Sequence, residues 1–528
     1  MRHLSKTHLF LFFILLISGY SQAQSWNVIG SAGFTSGAAG WTSIAIDKAG
    51  TPYVLYRDEV NWRRSTVMKY DGSAWVAVGG AFSTGGTFWN SIVIDSAGKP
   101  YVTYQDSAYG NGIVVKKYTG SLWVNVGTPG FSGGVVQEPT IALTKGGTPY
   151  VAFEDFNHSY KLTVMKFSGG SWVTVGPAGL SPGVVGHPAI ALDSADMPYV
   201  TFGDQTTAGY PNTVMKYDGT NWVFVGPPHF SAGNTYGNTI AIDRFGTPYV
   251  AYSDYANGRK VTVMKYDGSN WVNVGSPGFS DTIVLYLSLA LDGCGTPFVG
   301  YSESSTIYAT VKKYDGINWV TVGTTGFSSG QTLYNSLAVD WNGTPYMAFS
   351  ENTYGGKATA MRFQIPPSAI EGITTICIDS STTLTDSAPS GIWKSDNTAV
   401  AIVDACAGVV KGISAGTVTL SYTAYDSTVT TIVTVSNCVT TKVHAKNGDS
   451  PFVTISPNPS RGCFALKLSS DVTENVTIII TNIFGQKVKE NVITTNTSTE
   501  LQLNALPGIY FMSAATKNEC VTSKIIVE

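Results

Sequence analysis

The chain has 528 residues, a formal charge of −3, 13% charged residues and 57 glycines. Its length exceeds what one hydrophobic core organises, so several domains are expected. The composition fits a turn-rich, all-β exported protein better than a helical cytosolic one, and the lack of a basic stripe argues against a nucleic-acid partner.

Residues 1–23 read as a secretory signal. Arg2 and Lys6 form a positive start, residues 9–17 are an apolar core too short to span a bilayer, and Ser21-Gln22-Ala23 fits the small-x-small cleavage pattern before Gln24. With no Cys beside that site a lipid anchor is not expected, and no later segment reads as transmembrane.

From there to residue 365 one unit recurs. The Trp of a W-V-x-V-G element falls at Trp26, Trp75, Trp123, Trp172, Trp222, Trp271 and Trp319, in steps of 48 to 50 residues. A second marker, the Pro of G-T-P-Y, keeps the same period at Pro52, Pro100, Pro149, Pro198, Pro248, Pro297 and Pro345. Each unit holds four short Val/Ile/Tyr/Thr-rich runs bounded by Gly, Asp and Pro, termed a to d, which in the fifth unit are residues 239–242, 249–253, 262–266 and 271–274. A period near 49 with four strand-like runs predicts propeller blades. The last unit has no d run, and the missing one stands at the other end as residues 26–30. The expectation for residues 24–365 is a seven-bladed β-propeller closed by its N-terminal strand, which leaves no open sheet edge.

Residues 370–437 abandon the rhythm for short Val/Ile/Thr strands with frequent turn signals, the pattern of a β-sandwich. The elements Trp393-Lys394-Ser395-Asp396-Asn397, residues 399–403, Gly408-Val409-Val410-Lys411-Gly412 and Gly416-Thr417 resemble the bacterial Ig-like domain of group 2. That resemblance implies a spacer or adhesion module without catalytic residues. A polar linker, 438–450, follows.

Residues 451–528, expected to form a small C-terminal β-sandwich, carry a second resemblance. Ile455-Ser456-Pro457-Asn458-Pro459-Ser460, Asn482-Ile483-Phe484-Gly485-Gln486-Lys487-Val488, Pro507-Gly508-Ile509-Tyr510-Phe511 and Lys524-Ile525-Ile526-Val527-Glu528 stand in the order of the C-terminal sorting domain of the type IX secretion system. The resemblance implies the type IX secretion machinery as a partner through residues 451–528. It also implies passage across the outer membrane, with release or attachment at the cell surface.

The chemistry-bearing residues are sparse. Three loops satisfy G-x-S-x-G, at 130–134, 179–183 and 326–330, but a nucleophile elbow sits between strand and helix, whereas this loop recurs after strand d. The six histidines form no metal-ligand spacing, so neither metal nor cofactor is expected. Six cysteines permit fifteen pairings; Cys294, alone in the repeat region, reads as a small buried side chain. The ruler Trps read as packing between blades. Basic residues on run c (Lys69, Lys117, Lys166, Lys216, Lys265, Lys313, Arg362) read as solvated rim charges.

Two columns are candidates for ligand binding. Run b ends in an acid in every copy: Asp58, Asp106, Asp155, Asp204, Asp254, Glu303 and Glu351. Such a ring either accepts backbone N–H bonds from neighbouring loops or meets a ligand. The second column lies two residues before each S-I-A-I element: Trp41, Trp89, Glu138, His187, Gly237, Tyr286 and Tyr334. It varies while its surroundings are held, and it is mostly aromatic. Trp41, Trp89, His187, Tyr286 and Tyr334 with the acids suit sugar C–H faces and hydroxyls, or a cationic partner. The expected function is non-catalytic binding of a glycan or protein at the cell exterior. The alternatives are a propeller polysaccharide hydrolase or lyase and a structural surface component. The D-x-x-G-T-P turn resembles the sialidase Asp-box only in part, lacking its Trp and its S-x-D spacing.

Overall fold

The computed structural model describes residues 25–437 and 453–528, apart from short stretches at 207–208, 365–366, 387, 389–390, 425–426, 484, 504 and 516–519. The expected signal segment 1–23 and the linker 438–450 lie outside the described residues.

The described part of the repeat region contains seven four-stranded antiparallel sheets, each running a–b–c–d. In the fifth these are Thr235–Ile242, Pro248–Asp254, Lys260–Tyr266 and Trp271–Asn273. The Asp243 carboxylate makes the a–b turn by accepting from the backbone N–H groups of Phe245 (2.9 Å) and Thr247 (2.8 Å). Asp267 does the same for the c–d hairpin with Ser269 and Asn270. The final sheet takes its d strand from the start of the chain: Ser25–Val28 pairs with Lys357–Gln364, setting Trp26 opposite Phe363. Strand a of each sheet lies beside strand a of the next, and that of the seventh beside that of the first.

Strand b is covered on both faces, so Val54, Val102, Val151, Val200, Val250, Val299 and Met347 are fully buried. Burying one such side chain contributes about 1.5–3 kcal/mol. The apolar clusters join faces of adjacent sheets; one draws Tyr199 and Val214 together with Val250 and Trp271. All seven ruler Trps serve this contact. Each donates its indole N–H to a carbonyl of the preceding sheet, from Trp26 to Val322 (2.8 Å) through Trp319 to Val274 (2.6 Å). Six also meet the aromatic ring of the preceding G-F-S-type loop, as Trp172 meets Phe131 at 4.2 Å. The loop Ser or Thr is equally structural. Ser132, Ser181 and Ser328 each accept a strand N–H and donate to the carbonyl of the second following residue.

Residues 375–436 form two facing sheets. One is ordered Thr375–Cys377, Ser427–Ser436, Gly416–Ala424, Ile392–Ser395, and the other Ser381–Thr383, Val409–Gly412, Ala401–Val403. Their core of Trp393, Leu420, Tyr422 and Val433 belongs to one apolar cluster with Phe298 and Met347 of the last blades. A disulfide joins Cys294 to Cys406, so Cys294 is not the lone buried thiol expected from its isolation. Cys377 is also disulfide-bonded, and Cys463 is a free, exposed thiol.

The C-terminal unit, described from residue 453, is a second pair of sheets. The strands are Val453–Ser456, Cys463–Leu468 and Ser498–Gln502 against Lys487–Thr494, Asn475–Asn482, Gly508–Ala515 and Cys520–Val527. Phe464, Leu466, Ile478, Met512 and Ile525 form its core.

Candidate binding site at the centre of the ring of sheets

Strand a is not regular. In each sheet two of its residues oppose one residue of strand b, as Trp41 and Thr42 oppose Tyr56 between the pairs Gly40–Arg57 and Ser43–Leu55. The shift recurs in all seven sheets. It is a β-bulge, which re-aims the side chain it carries. The first bulge residue is the variable column. All seven members have positive φ: Trp41 54°, Trp89 58°, Glu138 51°, His187 52°, Gly237 63°, Tyr286 53° and Tyr334 55°. For a non-glycine residue this conformation costs about 1–2 kcal/mol, and glycine occurs only once in the column.

The bulge carries these side chains together across the inner strands. Trp41 meets Trp89 at 4.1 Å and Tyr334 at 5.0 Å, and Tyr334 meets Tyr286 at 5.5 Å. On the other side Glu138 Oε1 lies 2.9 Å from His187 Nδ1, and the His187 ring meets Tyr236 edge-on at 4.0 Å. The next residue locks the bulges between sheets: Thr42 donates to the Tyr334 carbonyl and Asn238 Nδ2 to that of Gly186. Four buried polar atoms of the bulges have no hydrogen-bond partner among the described residues: the donors Trp41 Nε1 and Asn90 Nδ2 and the acceptors Glu138 Oε2 and Asn335 Oδ1. Unpaired buried groups are rare enough to need a reason. Glu154 stands behind Glu138; burial pushes its carboxyl up to about 7, Glu138 adds to the rise, and His187 opposes it. Further along strand a the lining turns small and apolar, with Ala45, Val93, Ala142, Ala290 and Ala338.

The acidic ring is placed differently. Asp58, Asp106, Asp155, Asp204, Asp254, Glu303 and Glu351 are all buried. Asp106 accepts from the N–H groups of Gly85 (3.0 Å) and Ala108 (2.9 Å). Asp58 accepts from Val60, Asp155 from Asn157, Asp204 from Gly183, Asp254 from Ala256 and Glu351 from Gly330. These bonds cap the b–c loops and tie in the preceding d–a loops, so the carboxylates act within the rim. Glu303 is the exception, with Oε1 unpartnered. Burial raises its carboxyl, Asp281 adds to the rise, and Lys312 and Lys260 oppose it. His158 and His229 join this rim network through Asp155 (2.8 Å) and Asp204 (3.1 Å). The run-c cations are not uniformly solvated: Lys117 pairs with Asp95 at 3.2 Å, and Lys313 is covered where the 375–436 sandwich meets the propeller.

Sequence reasoning missed Glu154 and Tyr236. Both lie in columns beside the bulge that also vary between repeats (Arg57, Gln105, Glu154, Gly203; Gly40, Phe88, Gln137, Gly186, Tyr236), and that variation was the available signal. Among the described residues no group of three or more His, Cys, Asp or Glu is arranged to hold a metal ion.

No curated protein matches the sequence. Similar solved structures include a protein of unknown function from Dyadobacter fermentans, at 12% identity over 65% of this chain and 98% of that one, TM-score 0.40. An ulvan lyase of polysaccharide lyase family 25 gives 11%, 63%, 94% and 0.42, and the Aleuria aurantia lectin 15%, 56%, 99% and 0.39. No helix among the described residues is long and apolar enough to cross a membrane. Residues 454–528 match the family model of the secretion system C-terminal sorting domain, and the protein is therefore one exported across the outer membrane to the cell surface or the extracellular space.

Proposed function

We propose that the protein is a non-catalytic glycan-binding protein of the cell exterior, with its ligand seated on the bulge residues at the centre of the ring. In this reading residues 24–365 are a closed seven-bladed propeller and 370–437 an Ig-like spacer. One observation carries the proposal. Six non-glycine side chains are held in a costly left-handed backbone and brought together, beside buried donors and acceptors without partners. Strain retained at one site in repeat after repeat is the mark of a functional constraint. Aromatic faces take the C–H faces of a sugar ring, and the Glu138 carboxylate beside them suits its hydroxyls.

The test is a glycan array on the secreted chain, paired with a hydrolysis and elimination panel on the same polysaccharides. Binding without turnover is expected. Replacing Trp41, Trp89 and Tyr334 together by Ala should weaken the array ligand at least about tenfold, while Lys216→Ala on strand c leaves it unchanged. Turnover, or equal binding by the triple variant, overturns the reading.

A further inference from the structure

The ring has a break. From Trp89 through Trp41 and Tyr334 to Tyr286 the side chains touch in series. The next column position is Gly237, where a Cβ would meet nothing within 4 Å. Beyond it come His187 and Glu138. The opening is therefore walled by Tyr286 on one side, by His187 and the half-exposed Tyr236 on the other, and by Tyr334 and Glu138 one position further. The tyrosines are close enough that Tyr334 and Tyr236 both hold the Tyr286 hydroxyl above its ordinary range, after burial itself.

One carboxylate oxygen in this sector is left without a partner among the described residues. Two carboxyls, Glu138 and Glu154, share one imidazole, and that imidazole is engaged by Glu138 Oε1. Glu138 Oε2 has no donor. Arg259 opposes the rise of the Tyr236 hydroxyl, and its guanidinium carbon lies over the Tyr255 ring, 5.3 Å from the ring centre. Resting on the assignment of the binding face above, we propose that the opening at Gly237 is a pocket for a charged ammonium group on the ligand. Tyrosine faces attract such a group through their quadrupoles, the more so when it is desolvated. The carboxylate wall supplies the opposite charge, and the missing side chain supplies the room.

The probe is choline, which keeps its charge at every pH, against 3,3-dimethylbutan-1-ol, its neutral isostere. Calorimetric or NMR titration of the full secreted chain should give saturable choline binding at least about tenfold tighter than the alcohol. Gly237→Trp should abolish it by filling the opening. That backbone takes the substitution at the conformational cost of a non-glycine residue in the left-handed region, one that Trp41 and Trp89 already bear at φ 54° and 58°. Glu138→Gln should weaken choline about tenfold and leave the alcohol unchanged. Equal binding of the two probes, or choline binding retained in Gly237→Trp, overturns the proposal. If choline fails while the array ligand is still lost in the triple aromatic variant, the pocket's charge preference falls and the binding face stands. If the array ligand survives in that variant, the binding face falls as well.

Discussion

Glu154 shows how the central site weighs on stability. Its carboxyl has an ordinary value of 4.5 and is held near 7 by burial, with Glu138 raising it and His187 lowering it. An acid with a raised folded-state value binds more protons folded than unfolded. Its contribution to stability is complete below about 4.5 and is lost as pH rises through about 7. Glu154→Gln should therefore leave urea stability unchanged at pH 4 and raise it at pH 8. The gain should be on the order of 1 kcal/mol, because solvent screens a half-buried site; an equal change at both pH values would remove the titration from the account. At this scale repetition and variation carried opposite information. Six of the seven acids that close strand b accept backbone N–H groups of the adjoining loops, and Glu303 is the exception. The bulge column varies because its members face one another rather than a repeated neighbour. Their left-handed backbone was not legible, since Trp, Tyr and Glu carry no sequence signal for positive φ and only Gly237 does.

The element that the sequence placed by counting alone is the first strand. Four runs per repeat with one absent at the end left residues 26–30 as its complement, and Ser25–Val28 indeed pairs with Lys357–Gln364. Strand a was read too short: Thr235–Ile242 begins four residues before the run at 239, because the bulge interrupts the alternation by which strands are recognised. Trp26 links two sheets, donating to the Val322 carbonyl at 2.8 Å and stacking on Phe327 at 4.0 Å. Trp26→Ala should cost about 3–5 kcal/mol, as for other buried aromatic truncations. Deleting residues 24–30 should go further, exposing the edge of Lys357–Gln364 and the Phe327 face, so that the melting temperature falls and the protein aggregates in light scattering. A monomeric deletion variant with an unchanged melting temperature would mean that the ring does not depend on this strand.

Over the whole molecule, composition and motif order mark where the repeats stop and where the sorting domain begins, but not how the 375–436 sandwich is held. Nothing local marks Cys294 and Cys406 as partners, since 112 residues separate them and the choice among pairings is made by tertiary contact. The bond fastens the sandwich over a polar patch of the propeller rim. Lys313 lines that junction together with Tyr422 and Cys406; burial pushes its amine down to about 8, opposed by Asp292 and Asp315. Asp292 is raised by the same burial, with its turn N–H bonds and Lys313 opposing. Replacing both Cys294 and Cys406 by Ser frees a long loop in the unfolded chain and should lower stability by about 2–4 kcal/mol in chemical denaturation. If the bond also keeps the sandwich seated, water re-enters the junction and the Lys313 amine returns toward its ordinary 10.5, visible as an upward shift in the NMR titration of its Cε protons. A lowered denaturation midpoint with the Lys313 titration still near 8 would assign the bond to the unfolded-state effect alone, leaving the shared apolar cluster around Phe298, Met347, Trp393 and Tyr422 to seat the sandwich.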